Sequence, residues 1–203
     1  MSKHSRRRAR HSKAQKRTGW LTGIVGAIVA LVVGCVLAVV IACSAWLQNL
    51  PDYSNIDLYA KSGYSTIYAA DRQTELAKIT LENRIEVAPN EVSRYVLDGT
   101  VATEDERFYD HGGVDLQGIV RAVFVNLAGG QEGASTITQQ YVRNTILSSE
   151  MNEISIKRKV REMTLAEEME QIYSKDQILM MYLNTINYGD NCYGIQAAAK
   201  HYY

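Results

Sequence analysis

The sequence predicts a mainly α-helical chain: one transmembrane helix, then a helical domain with a small extended portion at its start. Three observations carry this expectation. Trp20–Leu47 contains no charged residue, and about 20 apolar residues suffice to cross a bilayer. From Pro89 onward, apolar residues recur at helical rather than alternating spacing. Only Ser65 to Ile79 reads as strand, turn and returning strand.

The membrane span is framed by charge. The chain has 22 Lys and Arg and 22 Asp and Glu, a formal net charge of zero. That average hides an asymmetry. Lys3, Arg6, Arg7, Arg8, Arg10, Lys13, Lys16 and Arg17 lie in residues 1–17, which contain no acid. All 22 acids follow the apolar run, against the 14 remaining basic residues, so that part is net −8. A basic tail directly before an apolar span keeps the N-terminus in the cytoplasm and sends the rest outward. Trp20 and Trp46 bracket the span as interfacial anchors would. The run is too long for a cleaved signal peptide. Two rivals stand beside the anchor. Val40-Ile41-Ala42-Cys43 loosely fits a lipoprotein processing site, but apolar sequence continues through Trp46 and Leu47. The tail also has the composition of a nucleic-acid arm; its place before a span argues against that, and no nucleic-acid partner is expected. The expected organisation is a basic tail at 1–19, a transmembrane helix at 20–47, a stalk and β-hairpin at 48–80, and a helical domain at 81–203.

Cysteine usage adds little. Cys35 and Cys43 sit in the span and Cys192 stands alone beyond it, so no disulfide is expected in the outer part. Cys and His show no metal-ligand spacing.

In the outer part, Gln48–Lys61 reads as a polar stalk. Ser65–Ala69 and Leu76–Ile79 are candidate strands around a turn at Asp71–Thr74. Asn90 is placed to cap a helix carrying Val92, Tyr95, Val96 and Gly99 on one face. That helix delivers Glu104 at its end. Asp115 is placed to cap the next, whose Leu116, Ile119, Val120, Val123 and Leu127 keep helical spacing. Thr136 with Gln139 fits a capping box opening a third helix. Its N-terminus follows a Gly-containing loop, so its free N–H groups suit an anion. The plain reading is a capped helix, although capping does not require Gln139-Gln140 or Arg143.

A fourth helix is expected over Ser155–Tyr173. There Glu162, Ala166, Met169 and Tyr173 form one stripe, so Glu162 is aimed at packed structure or a cleft. A buried carboxylate needs partners, and Arg158 and Lys159 lie within reach at i−4 and i−3. An ordinary surface ion pair is the competing reading. A fifth helix, Lys175–Asn184, would bury Ile178, Leu179, Tyr182 and Leu183, and a sixth starts near Gly194.

The densest chemistry is EDERFYDHGGVD at 104–115. A carboxylate beside aromatic walls has its pKa raised toward that of a general base, which makes Glu104 the candidate base, with Phe108 and Tyr109 as candidate walls, although such aromatics are more often core than sugar platforms. His111 is expected to order the following loop.

Five blocks then occur in one order: EDERFYDHGGVD at 104–115, GASTITQQYVRN at 133–144, RKVRE at 158–162, KDQILMMYLN at 175–184 and YGIQAAAKHYY at 193–203. Together they resemble glycosyltransferase family 51, the peptidoglycan glycosyltransferase domain of class A penicillin-binding proteins and monofunctional transglycosylases. The resemblance implies a lysozyme-like helical fold with a membrane-associated subdomain. It implies polymerisation of lipid II into β-1,4-linked glycan strands. Glu104 matches the family's catalytic base. Glu162 matches the second family Glu, which assists at the donor side directly or through a divalent cation, Mg or Mn. Arg143, Arg158 and Arg161 match basic positions suited to the departing pyrophosphate. Ser135, Gln139 and Gln140 match cleft residues that contact substrate, and Asp105 either lines the cleft or holds its loop. The implied partners are lipid II, the growing glycan strand, the bilayer and the cell-wall synthesis machinery.

Some positions depart from the family pattern. Arg143 stands where Lys is common, Ile154 where many members have Arg, and Met180 where Glu is usual. Family domains continue past the fifth block, so the resemblance implies a domain that is incomplete at Tyr203. Two other readings remain: a lysozyme-like glycan hydrolase using paired carboxylates, and an inactive membrane-anchored scaffold.

Overall fold

Helix α1 spans Lys3–Trp46, and its Gly23–Trp46 stretch has a mean hydropathy of 3.2 with 0% buried. The computed structural model describes residues 3–51, 64–80 and 83–203. Among these, α1 is the one helix long and apolar enough to cross a membrane. The chain divides into two compact units, Met1–Gln48 and Asn49–Tyr203. Most of the expected stalk lies outside the described residues.

The second unit starts with the expected hairpin. Strands β1 (Tyr64–Tyr68) and β2 (Glu75–Thr80) pair antiparallel, with Ser65 opposite Ile79. The turn closes because the Asp71 carboxylate accepts from the N–H groups of Gln73 and Thr74, at 3.0 and 2.9 Å. A second pairing is not visible in sequence. The short strands β3 (Asn83–Arg84) and β4 (Cys192–Tyr193) run parallel, with Asn83 opposite Cys192.

Six helices build the remainder. The first, α2 (Arg94–Glu104), is capped by Ser93, whose hydroxyl accepts from the Tyr95 N–H. The expected cap, Asn90, lies instead in a 3-10 turn, Pro89–Glu91. There the Glu91 side chain accepts from Ala88 N–H at 2.7 Å, closing the turn before a helix can start. The buried face shifts accordingly. Val96, Leu97 and Val101 pack against the core, whereas Tyr95 is 89% exposed.

Asp115 holds the N-cap position of α3 (Leu116–Leu127). The apolar stripe expected on α3 is largely open: Leu116, Val120, Val123, Phe124 and Leu127 are all exposed, while Gly118 and Ala122 face inward. Helix α4 (Ile137–Asn144) packs on both α5 (Ile156–Ile172) and α6 (Lys175–Thr185). Ser155 and Ser174 cap α5 and α6 through their hydroxyls, and Ser174 forms a full capping box with Gln177. Helix α7 covers Ile195–Tyr202.

The core forms where these helices meet, from Phe108, Ile137, Tyr141, Val142, Leu165, Met169, Ile178, Leu179 and Leu183, together with Ala166 and Tyr182. The fold is mainly α with a small extended N-terminal part, as the sequence predicts.

One glycine fixes the loop after α2 against the core. A Cβ on Gly113 would sit 2.3 Å from the Ala166 carbonyl carbon and 2.4 Å from Glu167 N, both backbone of α5. The bare chain can lie on the helix only as glycine. Gly112 meets nothing within 4 Å.

Candidate active site

Two polar clusters flank α4. The first is an open cleft of about 560 Å³, whose lining includes Glu104, Asp105, Arg107, Ser135, Gln140 and Arg143. Glu104 is the last residue of α2 and is exposed. Its Oε2 accepts from Gln140 Nε2 at 2.8 Å, and Gln140 Oε1 accepts from the Tyr182 hydroxyl at 3.1 Å.

The two aromatics do not wall Glu104, and Phe108 takes the core reading instead. Phe108 is fully buried in the core. Tyr109 turns away and donates to Asp176 at 3.0 Å. Neither lines the cleft, because the turn after α2 carries both past Glu104 toward α6. The tyrosines electrostatically coupled to Glu104 are Tyr182 and Tyr188. Burial first, and then the Glu104 carboxylate, push both phenols up, Tyr188 to about 12.

Asp105 is buried and engaged at both oxygens. Oδ1 pairs with His111 Nε2 at 2.8 Å and Oδ2 accepts from Ile137 N–H at 3.1 Å. It therefore ties the loop to the N-terminus of α4, the loop-holding alternative for this residue. His111 orders the loop as expected.

Cations in the cleft are unequal. Arg107 pairs with Asp115 at 3.5 Å and Arg121 with Glu132 at 2.6 Å. Among the described residues, Arg143 is the one arginine lining the cleft without a carboxylate partner.

The second cluster is internal. Glu162 is 0% exposed, so the surface ion-pair reading does not apply. Its Oε2 accepts from Arg158 at 3.1 Å and its Oε1 from Lys159 Nζ at 2.8 Å. Lys159 also donates to Ser135 Oγ at 2.8 Å and to Gln139 Oε1 at 2.6 Å. All three ammonium protons are thereby placed. Gln139 Nε2 donates to Gly113 O at 3.1 Å. Only half of the expected capping box forms: Thr136 Oγ1 accepts from Gln139 N–H at 3.1 Å, while the Gln139 side chain goes to Gly113 and Lys159.

The structure thus gathers Glu104, Asp105, Ser135, Gln140 and Arg143 at the cleft and sets Glu162, Arg158 and Gln139 behind it. Arg161 joins neither group. It pairs with Glu150 at 3.2 Å, because it lies three positions past Arg158 but turned toward the loop before α5. Lys159 was legible only as an ion-pair partner of Glu162. Tyr182 was legible only as a core residue, since nothing in helical spacing reveals where a buried hydroxyl points.

A divalent cation does not fit at Glu162. Each carboxylate oxygen already faces a side-chain cation, and among the described residues no group of three or more His, Cys, Asp or Glu converges anywhere.

A family model described as Transglycosylase matches residues 72–203. That match contains the whole cleft and all five sequence blocks. This chain belongs to the transglycosylase family. Its fold is that family's lysozyme-like helical domain, preceded by one long apolar helix. Among curated relatives, the transglycosylase chain is 40% identical over 161 residues to penicillin-binding protein 1A of Rickettsia conorii, covering 77% of this chain and 20% of the relative. It is 44% identical over 131 residues to penicillin-binding protein 1F of Bacillus subtilis, covering 64% and 18%. It is 45% identical over 139 residues to penicillin-binding protein 1A of Haemophilus influenzae, covering 68% and 16%. The chain spans about a fifth of the length of these relatives.

Proposed function

We propose that this chain is a membrane-anchored peptidoglycan glycosyltransferase that polymerises lipid II into β-1,4-linked glycan. The observation that carries the reading is the exposed Glu104 carboxylate, held by Gln140 in a polar cleft that also contains the unpaired Arg143. Glu104 accepts the proton of the acceptor sugar's 4-hydroxyl as that oxygen attacks the donor's anomeric carbon. The bond from that carbon to the pyrophosphate oxygen breaks, and undecaprenyl pyrophosphate departs. The base must lie within hydrogen-bond reach of the hydroxyl, and negative charge builds on the leaving oxygen. Arg143 is free to receive that charge, which a guanidinium binds in bidentate fashion.

The membrane setting supports a lipid-linked substrate. Helix α1 has the length of a bilayer span, and the basic residues before it favour a cytoplasmic N-terminus and an outward catalytic unit. The open apolar face of α3 suits contact with the bilayer surface, bringing the lipid carrier to the cleft. Cell-wall synthesis machinery is the natural partner of such an enzyme.

A hydrolase needs two carboxylates flanking one glycosidic bond. Glu162, the second carboxylate of that reading, is fully buried with both oxygens paired and does not line the cleft. The scaffold reading predicts lipid II binding with no polymer. Incubating membranes carrying the full chain with labelled lipid II separates the readings. Polymer is expected, and Glu104→Gln is expected to abolish it. Normal polymerisation by Glu104→Gln would overturn the assignment of the base, and release of soluble fragments from finished glycan would favour the hydrolase.

A further inference from the structure

The two ends of the Gln140 amide do different things. Nε2 donates to Glu104 and Oε1 accepts from Tyr182. The reversed amide would set its carbonyl against the acceptor-only Glu104 carboxylate and lose that hydrogen bond, whereas the phenol can donate to a carbonyl or accept from an NH₂. Glu104 itself is exposed at the end of α2, and among the described residues Gln140 is the one group that donates to its side chain. Tyr182 is 3% exposed and sits on α6 within the main core, so its ring is fixed by packing. A buried hydroxyl must find an acceptor, and the acceptor it finds is Gln140 Oε1. The rigid member of the chain is therefore the one farthest from the cleft.

We propose that Tyr182 is a positioning residue for the transfer reaction: by anchoring the Gln140 amide from the packed core, it holds Glu104 through Oε2 and leaves Oε1 to take the acceptor proton. This rests on the reading of Glu104 as the base. Tyr188 lies near the same carboxylate and Arg143 near the same phenol. Neither donates to Gln140, so the relay runs through one amide alone.

The test is a double-mutant cycle in the full chain, with kcat and KM for lipid II measured on Tyr182→Phe, Gln140→Ala, the pair together, and Glu104→Gln. Loss of one neutral hydrogen bond in a positioning chain corresponds to about a five- to tenfold fall in kcat. Tyr182→Phe removes one oxygen and keeps the ring in the core, so the melting temperature should stay close to wild type. Each single variant should lower kcat with KM unchanged. The double variant should be no slower than Gln140→Ala alone, because the phenol acts only through the amide.

Wild-type kcat in Tyr182→Phe would overturn the proposal. So would losses that multiply in the double variant, or a loss confined to KM. Should Tyr182→Phe unfold the core, the Gln140→Ala background still decides, since an unchanged kcat-to-KM split there overturns the relay. An inactive Glu104→Gln beside an unaffected Tyr182→Phe refutes the relay alone. An active Glu104→Gln refutes the base, whatever Tyr182 does.

Discussion

Gln139 and Gln140 are adjacent on α4 and serve different acids, Gln140 directly and Gln139 through a lysine. Gln140 Nε2 lies 2.8 Å from Glu104, whereas Gln139 Oε1 lies 2.6 Å from the Lys159 ammonium that also holds Glu162. One turn of helix thus serves an open carboxylate on one side and a buried one on the other. The pair has a structural reason that helix capping does not supply.

The buried side makes Lys159 a keystone for stability. Lys159→Met removes the cation from Glu162 Oε1 and leaves Ser135 Oγ and Gln139 Oε1 without a donor. Breaking a buried charge pair from one side costs about 3–5 kcal/mol. Arg158 remains on Oε2, so the lower part of that range is expected. Urea unfolding should show it as a lower midpoint, and a change under about 0.5 kcal/mol, the scale of ordinary surface substitutions, would contradict it.

The glycine pair separates cleanly. Gly113→Ala must push the loop off α5, where a Cβ would lie 2.3 Å from backbone, and should destabilise strongly. Gly112→Ala meets open space and should change stability by less than about 1 kcal/mol. Thermal melts of the two variants test the contrast; equal effects would refute the close approach.

The phenols report on Glu104. Its negative charge disfavours ionisation of Tyr182 and Tyr188, after burial itself. Glu104→Gln should therefore lower both phenol pKa values without returning them to about 10, the free value. Absorbance titration of single Tyr→Phe variants in that background assigns the shifts. For Tyr188, raised to about 12 when folded, the sign is fixed: its contribution is fully present below the unfolded value of about 10 and is lost as pH climbs toward 12. Tyr188→Phe should flatten the fall in stability across that window.

The open face of α3 should govern attachment of the catalytic unit to lipid. Phe124 and Leu127 are 70% and 80% exposed, so changing both to Ser removes apolar area without opening the core. Vesicle flotation of residues 49–203 should weaken while circular dichroism stays unchanged. Unaltered flotation would show that this face does not meet the bilayer.

Much of this molecule was determined by sequence alone. The apolar run of α1, the span of α5 between Ser155 and Tyr173, the buried face of α6 and the inward aim of Glu162 all follow from periodicity and capping, which act over a few residues. The five blocks identified the family and put Glu104 at the end of a helix. Tertiary structure decided what periodicity cannot encode. The stripe on α3 has core-like spacing yet remains exposed, because no other described element covers it. Phe108 and Tyr109 left Glu104 because a turn, not a helix, follows it. Asp105 went to His111 and Ile137, Arg161 to Glu150, and Gln139 to Gly113 and Lys159. The direction of a polar side chain depends on partners brought near by folding, often from distant parts of the chain. Spacing predicts which face a residue is on, whereas the partner that its polar atoms find is settled only when the helices meet.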